Sequence, residues 1–163
     1  MMAASREQIM TALLSRLAGS GEFATIGRRN RRPESIAAIN TPALMLVEHS
    51  ETYERPSPNQ PPIRTLEVRA IVYCDVGQDE NAIPSSIVNQ LLDGIDSVMV
   101  PDSRMLGRCT LGGLVYSAMI DGDVIKAPGD VTGKSLAVVQ QSAWGEAEAP
   151  TTGAAPGLGS GAA

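Results

Sequence analysis

The sequence contains few of the residues on which small-molecule and catalytic sites depend. Aromatic residues make up 3% of the 163 residues, and the chain has one histidine and two cysteines. The low aromatic content argues against a large site for an aromatic ligand. Cys74 and Cys109 are not at the short spacing that metal ligation or thioredoxin-like chemistry requires. We therefore expect two reduced thiols and no disulfide.

Long apolar runs are also missing. No stretch approaches the roughly 20 consecutive apolar residues that span a bilayer. Residues 1–7 lack the order of a signal peptide, in which basic residues precede an apolar segment. We expect no membrane partner, and a protein that is made and used in a cytoplasm.

No group of residues has the spacing of a catalytic site. His49 is next to Ser50 and Glu51, and adjacent side chains in an extended segment point to opposite faces, so these three cannot form a triad. Asp93 and Asp96 are not joined by a histidine or a further acid at metal-ligating spacing. The glycine pair at 112–113 leads into a predicted strand, whereas a phosphate loop leads into a helix. The sequence predicts that the protein is not an enzyme and has no cofactor or metal.

The residues that are present suit one compact domain with an appendage. Apolar residues make up 43% of the chain, which is enough for a core. We predict an α+β domain over residues 1–144 and a Gly/Ala/Pro-rich tail over 145–163, which cannot form a core of its own. Residues 1–69 carry nine basic and seven acidic groups, and residues 70–163 carry four and eleven. This polarity is compatible with a head-to-tail assembly.

Hydrophobic periodicity predicts the main elements. A strand over 65–76 places Leu66, Val68, Ala70, Val72, Cys74 and Val76 on one face, and its mixed second face is typical of a contact with another subunit. Helices are predicted after the capping box of Ser5 and Gln8, and from Pro84 to just before Pro101. Further strands are predicted after Phe23 and over 43–47, 114–120 and 135–144. The fold class is α+β: a mixed, mainly antiparallel sheet of about four to five strands flanked by two helices, with an extended C-terminal tail.

A cluster of arginines follows the first short strand. Its guanidinium groups would repel one another unless phosphates or carboxylates accept their planar donors. A solvated loop is the plain alternative. If the cluster is functional, we favour carboxylates of a neighbouring protein over nucleic acid, because no aromatic residue is interleaved. The candidate interface residues here are Arg28, Arg29, Arg31 and Arg32.

A second candidate is the proline-rich segment 48–62, which breaks every periodicity. Loops of this length are uncommon in a compact domain unless they bind something, so we predict a contact arm or a finger that faces a channel. Simple disorder is the alternative. The candidate interface residues in this segment are Tyr53, Arg55, Pro58 and Pro61.

The order of these elements resembles that of the tail terminator (tail-completion) proteins of long-tailed bacteriophages. The similarity extends from Arg6 to Gln141. Its most specific pieces are the opening Arg6-Glu7-Gln8-Ile9, the segment from Ile83 to Ile95, and the turn Leu111-Gly112-Gly113-Leu114-Val115.

The resemblance implies a non-catalytic virion protein at the head-tail junction. Its subunits would form a homo-oligomeric ring, a hexamer, on the head-proximal end of the tail tube, where the ring stops tube polymerisation. Its partners would be the tail tube protein and the head-tail connector or stopper protein. Genomic DNA would pass through the lumen without specific binding. We therefore expect acidic residues to outnumber basic ones on the lumen wall, and the arginine cluster to face a protein.

Two alternatives remain open at the level of sequence. The first is a head-side connector or adaptor (stopper-like) protein of the same particle, although such subunits often rely on helices that insert beside the portal. The second is a small monomeric α+β binding or enzyme-like domain, which would need a site of convergent polar residues.

Overall fold

The computed structural model describes residues 4–29, 35–37, 40–75, 81, 83–102, 105, 107–127 and 134–146. The predicted C-terminal tail beyond residue 146 lies outside these ranges. In the described part, the chain forms two helices and six strands. These are α1 (Arg6–Ala18), β1 (Thr25–Gly27), β2 (Ala43–Glu54), β3 (Ile63–Asp75), α2 (Pro84–Val98), β4 (Ser117–Ile120), β5 (Ile125–Ala127) and β6 (Lys134–Glu146).

The six strands form one mixed sheet in the order β1-β2-β3-β6-β4, and β5 also pairs with β6. Only the β1–β2 pair is parallel among the strand pairs of the described residues. The predicted α+β class with a mixed, mainly antiparallel sheet and two helices is confirmed. The count of six strands includes β1 and β5, which are only three residues long.

Both helices pack on the same face of the sheet. The buried residues of α1 and α2 belong to one hydrophobic cluster with the side chains of β2 and β3 that point toward them. The predicted apolar face of β3 lies in this cluster from Leu66 to Cys74, and Val76 lies outside the described residues. A smaller cluster lies on the opposite face and contains Ile36, Ala43, Met45 and Tyr73. The core therefore lies mainly between the sheet and one layer of helices.

The helix ends follow the sequence signals. Ser5 Oγ accepts a hydrogen bond from the backbone N–H of Gln8, and the Gln8 side chain accepts one from the Ser5 N–H. This is the predicted capping box. Pro84 occupies the first turn of α2, and Val88, Leu91 and Ile95 form its buried stripe.

The prediction of a loop over 48–62 is wrong for its first seven residues, because β2 continues to Glu54. The outer half of β2 is held by backbone pairing with β3, from Ser50 opposite Glu67 to Glu54 opposite Ile63. Its side chains are largely exposed and polar, so they carry no apolar alternation. The connection between β2 and β3 is therefore the segment 55–62, and the two strands form a long hairpin.

The strand predicted from Leu114 begins three residues later, at Ser117. The preceding residues are turns, in which Leu111, Gly112 and Gly113 have φ values of 52°, 73° and 87°. The turn continues past these residues, because the backbone N–H of Val115 donates to the carbonyl oxygen of Thr110 at 3.1 Å and is not available to a ladder. The last strand extends from Lys134 to Glu146, two residues past its predicted end.

One edge of β2 is largely open. β1 pairs with β2 only from Ala43 to Met45, and beyond that no strand among the described residues covers this edge. The register of β2 shifts between Glu48 and Ser50, which marks a β-bulge.

Candidate functional site

The structure brings four of the predicted interface residues together at the end of the β2–β3 hairpin. Arg55, Pro58 and Pro61 lie in the connecting segment 55–62 and are exposed. Tyr53 lies at the end of β2 and is 54% exposed. The hairpin end therefore presents an aromatic ring, prolines and a cation to solvent.

Tyr53 is oriented by a network that joins the hairpin to the N-terminus of α1. Arg6 donates to both carboxylate oxygens of Glu51, at 2.6 and 2.8 Å, and to the Tyr53 hydroxyl at 2.6 Å. The Tyr53 hydroxyl in turn donates to Glu51. The hydrogen bonds from Arg6 lower the pKa of the Glu51 carboxyl below its ordinary value. Glu51 therefore stays ionised and holds the Tyr53 side chain in one position.

Arg64 supports the same network from β3. Its side chain is buried, donates to the carbonyl oxygen of Ala4 at 2.9 Å, and has its Nε 3.7 Å from Glu51. The register places Arg64 opposite Tyr53 in the hairpin. The start of α1 and the outer half of the hairpin are thus tied by charged hydrogen bonds, which are stronger than neutral ones.

Arg28 is neutralised within its own chain. Its guanidinium donates to Glu7 of α1 and, at 2.9 Å, to Glu48 of β2. The hydrogen bond to Glu7 is the main reason why the pKa of Arg28 is raised above its ordinary value. Arg28 therefore extends the connection between α1 and the hairpin.

Arg29 differs from Arg28. It is exposed, and in the part of the chain that the structure describes it has no ion pair. Arg31 and Arg32 lie outside the described residues. Among the predicted arginines, Arg29 is thus the described one that is free to meet a partner.

The sequence reasoning missed Arg6, Glu7, Glu51 and Arg64. Glu51 and Tyr53 are two residues apart, a spacing that places both side chains on one face of a strand. This spacing indicates a contact between them only if β2 extends to residue 54, which the sequence does not predict. The partners in α1 and β3 are far away in sequence and left no local signal.

The described residues contain no group of three His, Cys, Asp or Glu side chains that could hold a metal ion. His49 is exposed, and its Nε2 lies 2.8 Å from the Arg69 guanidinium. Within the same ranges, neither helix is long and apolar enough to cross a membrane.

No protein-family model and no curated protein matches this sequence. A solved structure described as the virion of a native gene transfer agent (GTA) particle contains a chain of similar fold, with a TM-score of 0.50 and 11% sequence identity. The match covers 85% of this chain and 94% of that chain. At this identity the likeness shows a shared fold, which extends over most of both chains.

Proposed function

We propose that this protein is a structural component of a phage-like virion that forms a ring on the head-proximal end of the tail tube. The ring, a hexamer, ends tube polymerisation and joins the tail to the head connector. The observation that carries the proposal is the fold match to a chain of a gene transfer agent virion, a phage-like particle, over 94% of that chain. The resemblance of the sequence to tail terminator proteins selects this role among virion proteins.

The surface of the subunit supports a ring. A ring of identical subunits needs heterologous contacts, in which one side of a subunit meets a different side of the next. The strand order places the β2–β3 hairpin toward one edge of the sheet and β4 at the other. The tie between α1 and the hairpin holds Tyr53 on the surface before assembly, which reduces the entropy lost on binding.

The partners in this proposal are those that the resemblance to tail terminator proteins implies. The tail tube protein and the head-tail connector or stopper protein contact the two rims of the ring, and genomic DNA passes through the lumen without specific binding. Each phosphate neutralised by Lys or Arg adds affinity that depends on salt and would impede DNA passage. The chain carries 13 basic and 18 acidic residues, which is compatible with a lumen wall on which acids outnumber bases. In the same proposal, Arg29, Arg31 and Arg32 face protein neighbours.

Electron microscopy of the purified protein mixed with isolated tail tubes tests this function. We expect a six-fold ring at one end of each tube, the end that joins the head, and tubes that no longer elongate when tube protein is added. Symmetry in class averages gives the number of subunits.

Two results would contradict the proposal. A ring that binds only to heads would identify a head-side connector or adaptor instead. A monomer that binds neither tubes nor heads would indicate a small binding domain instead.

A further inference from the structure

A groove runs between α2 and the β4–β5 edge of the sheet. It consists of two cavities of about 390 and 320 Å³, which share Asp96 and Ile120 as lining residues. The first cavity lies against Val124 and Lys126, and the second lies against Met119 and Arg108. None of the residues of the hairpin end lines either cavity.

Apolar side chains border this groove and remain in solvent. Met119 and Val124, which line the cavities, are 41% and 40% exposed, and Tyr116, which stacks on the lining residue Arg108, is 57% exposed. Scattered exposed apolar residues are ordinary, but several along one concave surface are typical of a protein contact. Tyr116 and Met119 belong to the residue types that are enriched at such contacts.

Arg108 lines the second cavity of the groove, and no described carboxylate pairs with it. Its guanidinium stacks on the Tyr116 ring, 3.8 Å from the ring centroid. The Nε atom is buried and makes no hydrogen bond to a described residue. The side chain as a whole is only partly buried, so its charge is accessible to a carboxylate supplied by another molecule.

The same groove carries unpaired acids. Asp93 and Asp96 are exposed on α2, and within the described ranges neither has an ion pair. Cation and carboxylates are thus arranged along one surface, with Arg108 toward β4 and the two aspartates on the helix.

The hairpin end has the complementary set. Glu54 and Arg55 are adjacent and exposed, and in the described part of the chain neither has an ion pair. Tyr53 beside them is exposed as well, and Pro58 and Pro61 supply apolar surface. Each charge at the hairpin end therefore has an unpaired opposite charge in the groove.

We propose that the hairpin end of one copy docks into the α2–β4 groove of the next copy, with Glu54 facing Arg108 and Arg55 facing the aspartates of α2. The inference rests on the proposed function, because it names the contact between neighbouring subunits of the ring. A hairpin toward one sheet edge and a groove at the other make a heterologous contact, which closes into a ring when the rotation between subunits permits. Opposite charges fix the register of such a contact and disfavour wrong ones.

Charge reversal tests the contact directly. Sedimentation velocity gives the association constant between subunits for the wild type, Arg108→Glu, Glu54→Arg and the double variant. We expect each single reversal to weaken association by at least about tenfold, since like charges then face each other. The double variant restores the attraction and should return to within about threefold of the wild type.

A matched control separates a specific pair from a general charge effect. The double variant Arg108→Glu with Glu22→Arg carries the same charges as the restoring pair, but Glu22 is an exposed residue outside the hairpin that lies against Gly94 of α2 and lines neither cavity. We expect it to remain as weak as Arg108→Glu alone. Circular dichroism establishes that each variant is folded. If Arg108→Glu does not fold, the exposed Glu54→Arg carries the test, with Glu22→Arg expected to assemble normally.

The outcomes for this contact and for the proposed function are distinguishable. Two results would overturn the contact and leave the proposed function unaffected. In one, the double variant Arg108→Glu with Glu54→Arg assembles no better than Arg108→Glu alone. In the other, Glu54→Arg assembles like the wild type. Rings that form in solution but never bind to tube ends would overturn the proposed function. The association of the double charge-reversal variant would still test the contact between subunits. A wild-type chain that stays monomeric, alone and with tubes, would overturn both.

Discussion

Replacing Asp102 by asparagine removes a carboxylate that joins three segments near the groove. Asp102 Oδ2 accepts hydrogen bonds from the Thr110 hydroxyl and backbone N–H, both at 2.5 Å, and Oδ1 accepts one from Arg16 of α1. The backbone N–H of Asp102 donates to the carbonyl oxygen of Arg108 at 3.2 Å. Asp102 thus positions the loop that carries Arg108.

The size of the effect follows from the pKa of this carboxyl. The pKa of Asp102 is lowered from 3.8 to about 2, and the main cause is the hydrogen bond from Thr110 Oγ1. A difference of this size corresponds to about 2 kcal/mol of folding free energy at neutral pH. Because Asp102 lies at the surface, screening by solvent reduces the expected loss to about 1 kcal/mol.

The sign of the pH dependence is fixed by the direction of the pKa change. A carboxyl whose pKa is lower in the folded than in the unfolded state stabilises the folded protein when it is ionised. This contribution is complete at pH values above the unfolded pKa, and it is lost as the pH falls through the folded pKa. The cost of Asp102→Asn should be complete at pH 7, roughly half as large at pH 3, and absent below about pH 2.

Urea unfolding of the wild type and Asp102→Asn at pH 7 and pH 3 measures this difference. Asp123→Asn, an exposed aspartate on the turn before β5, is the matched control and should change stability by less than about 0.5 kcal/mol. An equal cost of Asp102→Asn at both pH values would refute the reasoning, because the loss would then not come from ionisation.

Two further predictions concern α1 and the arginines. Leu13→Ala removes a side chain that is 2% exposed in the main core, so we expect a loss of about 2–5 kcal/mol in urea unfolding, whereas Leu14→Ala at the half-buried neighbour should cost less. Arg28→Gln should lower stability by about 0.5–1 kcal/mol because Arg28 pairs with Glu7 and Glu48, while Arg29→Gln should leave stability unchanged in thermal unfolding. Equal losses for the two arginines would contradict the pairing seen here.

The sequence alone predicts the helices and strands whose side chains are buried on one face. The alternation along β3 and the stripe of α2 are consequences of burial, so both appear as hydrophobic periods. The capping box of Ser5 and Gln8 was visible because it is a purely local pattern.

The outer half of β2 could not be predicted in this way. Its strand conformation depends on backbone pairing with β3, and Ser50 and Thr52 carry no apolar alternation. The tie of Arg6 to Glu51 joins residues 45 positions apart, and the groove near Arg108 depends on how β4 meets α2. Such contacts are properties of the tertiary fold and have no spacing rule in the sequence.

The open edge of β2 has a consequence for the behaviour of free subunits at high concentration. Long, regular, uncharged strand edges template the growth of fibrils, because each new chain offers the same edge again. Here the edge bends at the bulge after Glu48 and carries two more glutamates, Glu51 and Glu54. Both features disfavour backbone pairing between copies, so this edge is a poor template for fibril growth even when the free protein is concentrated.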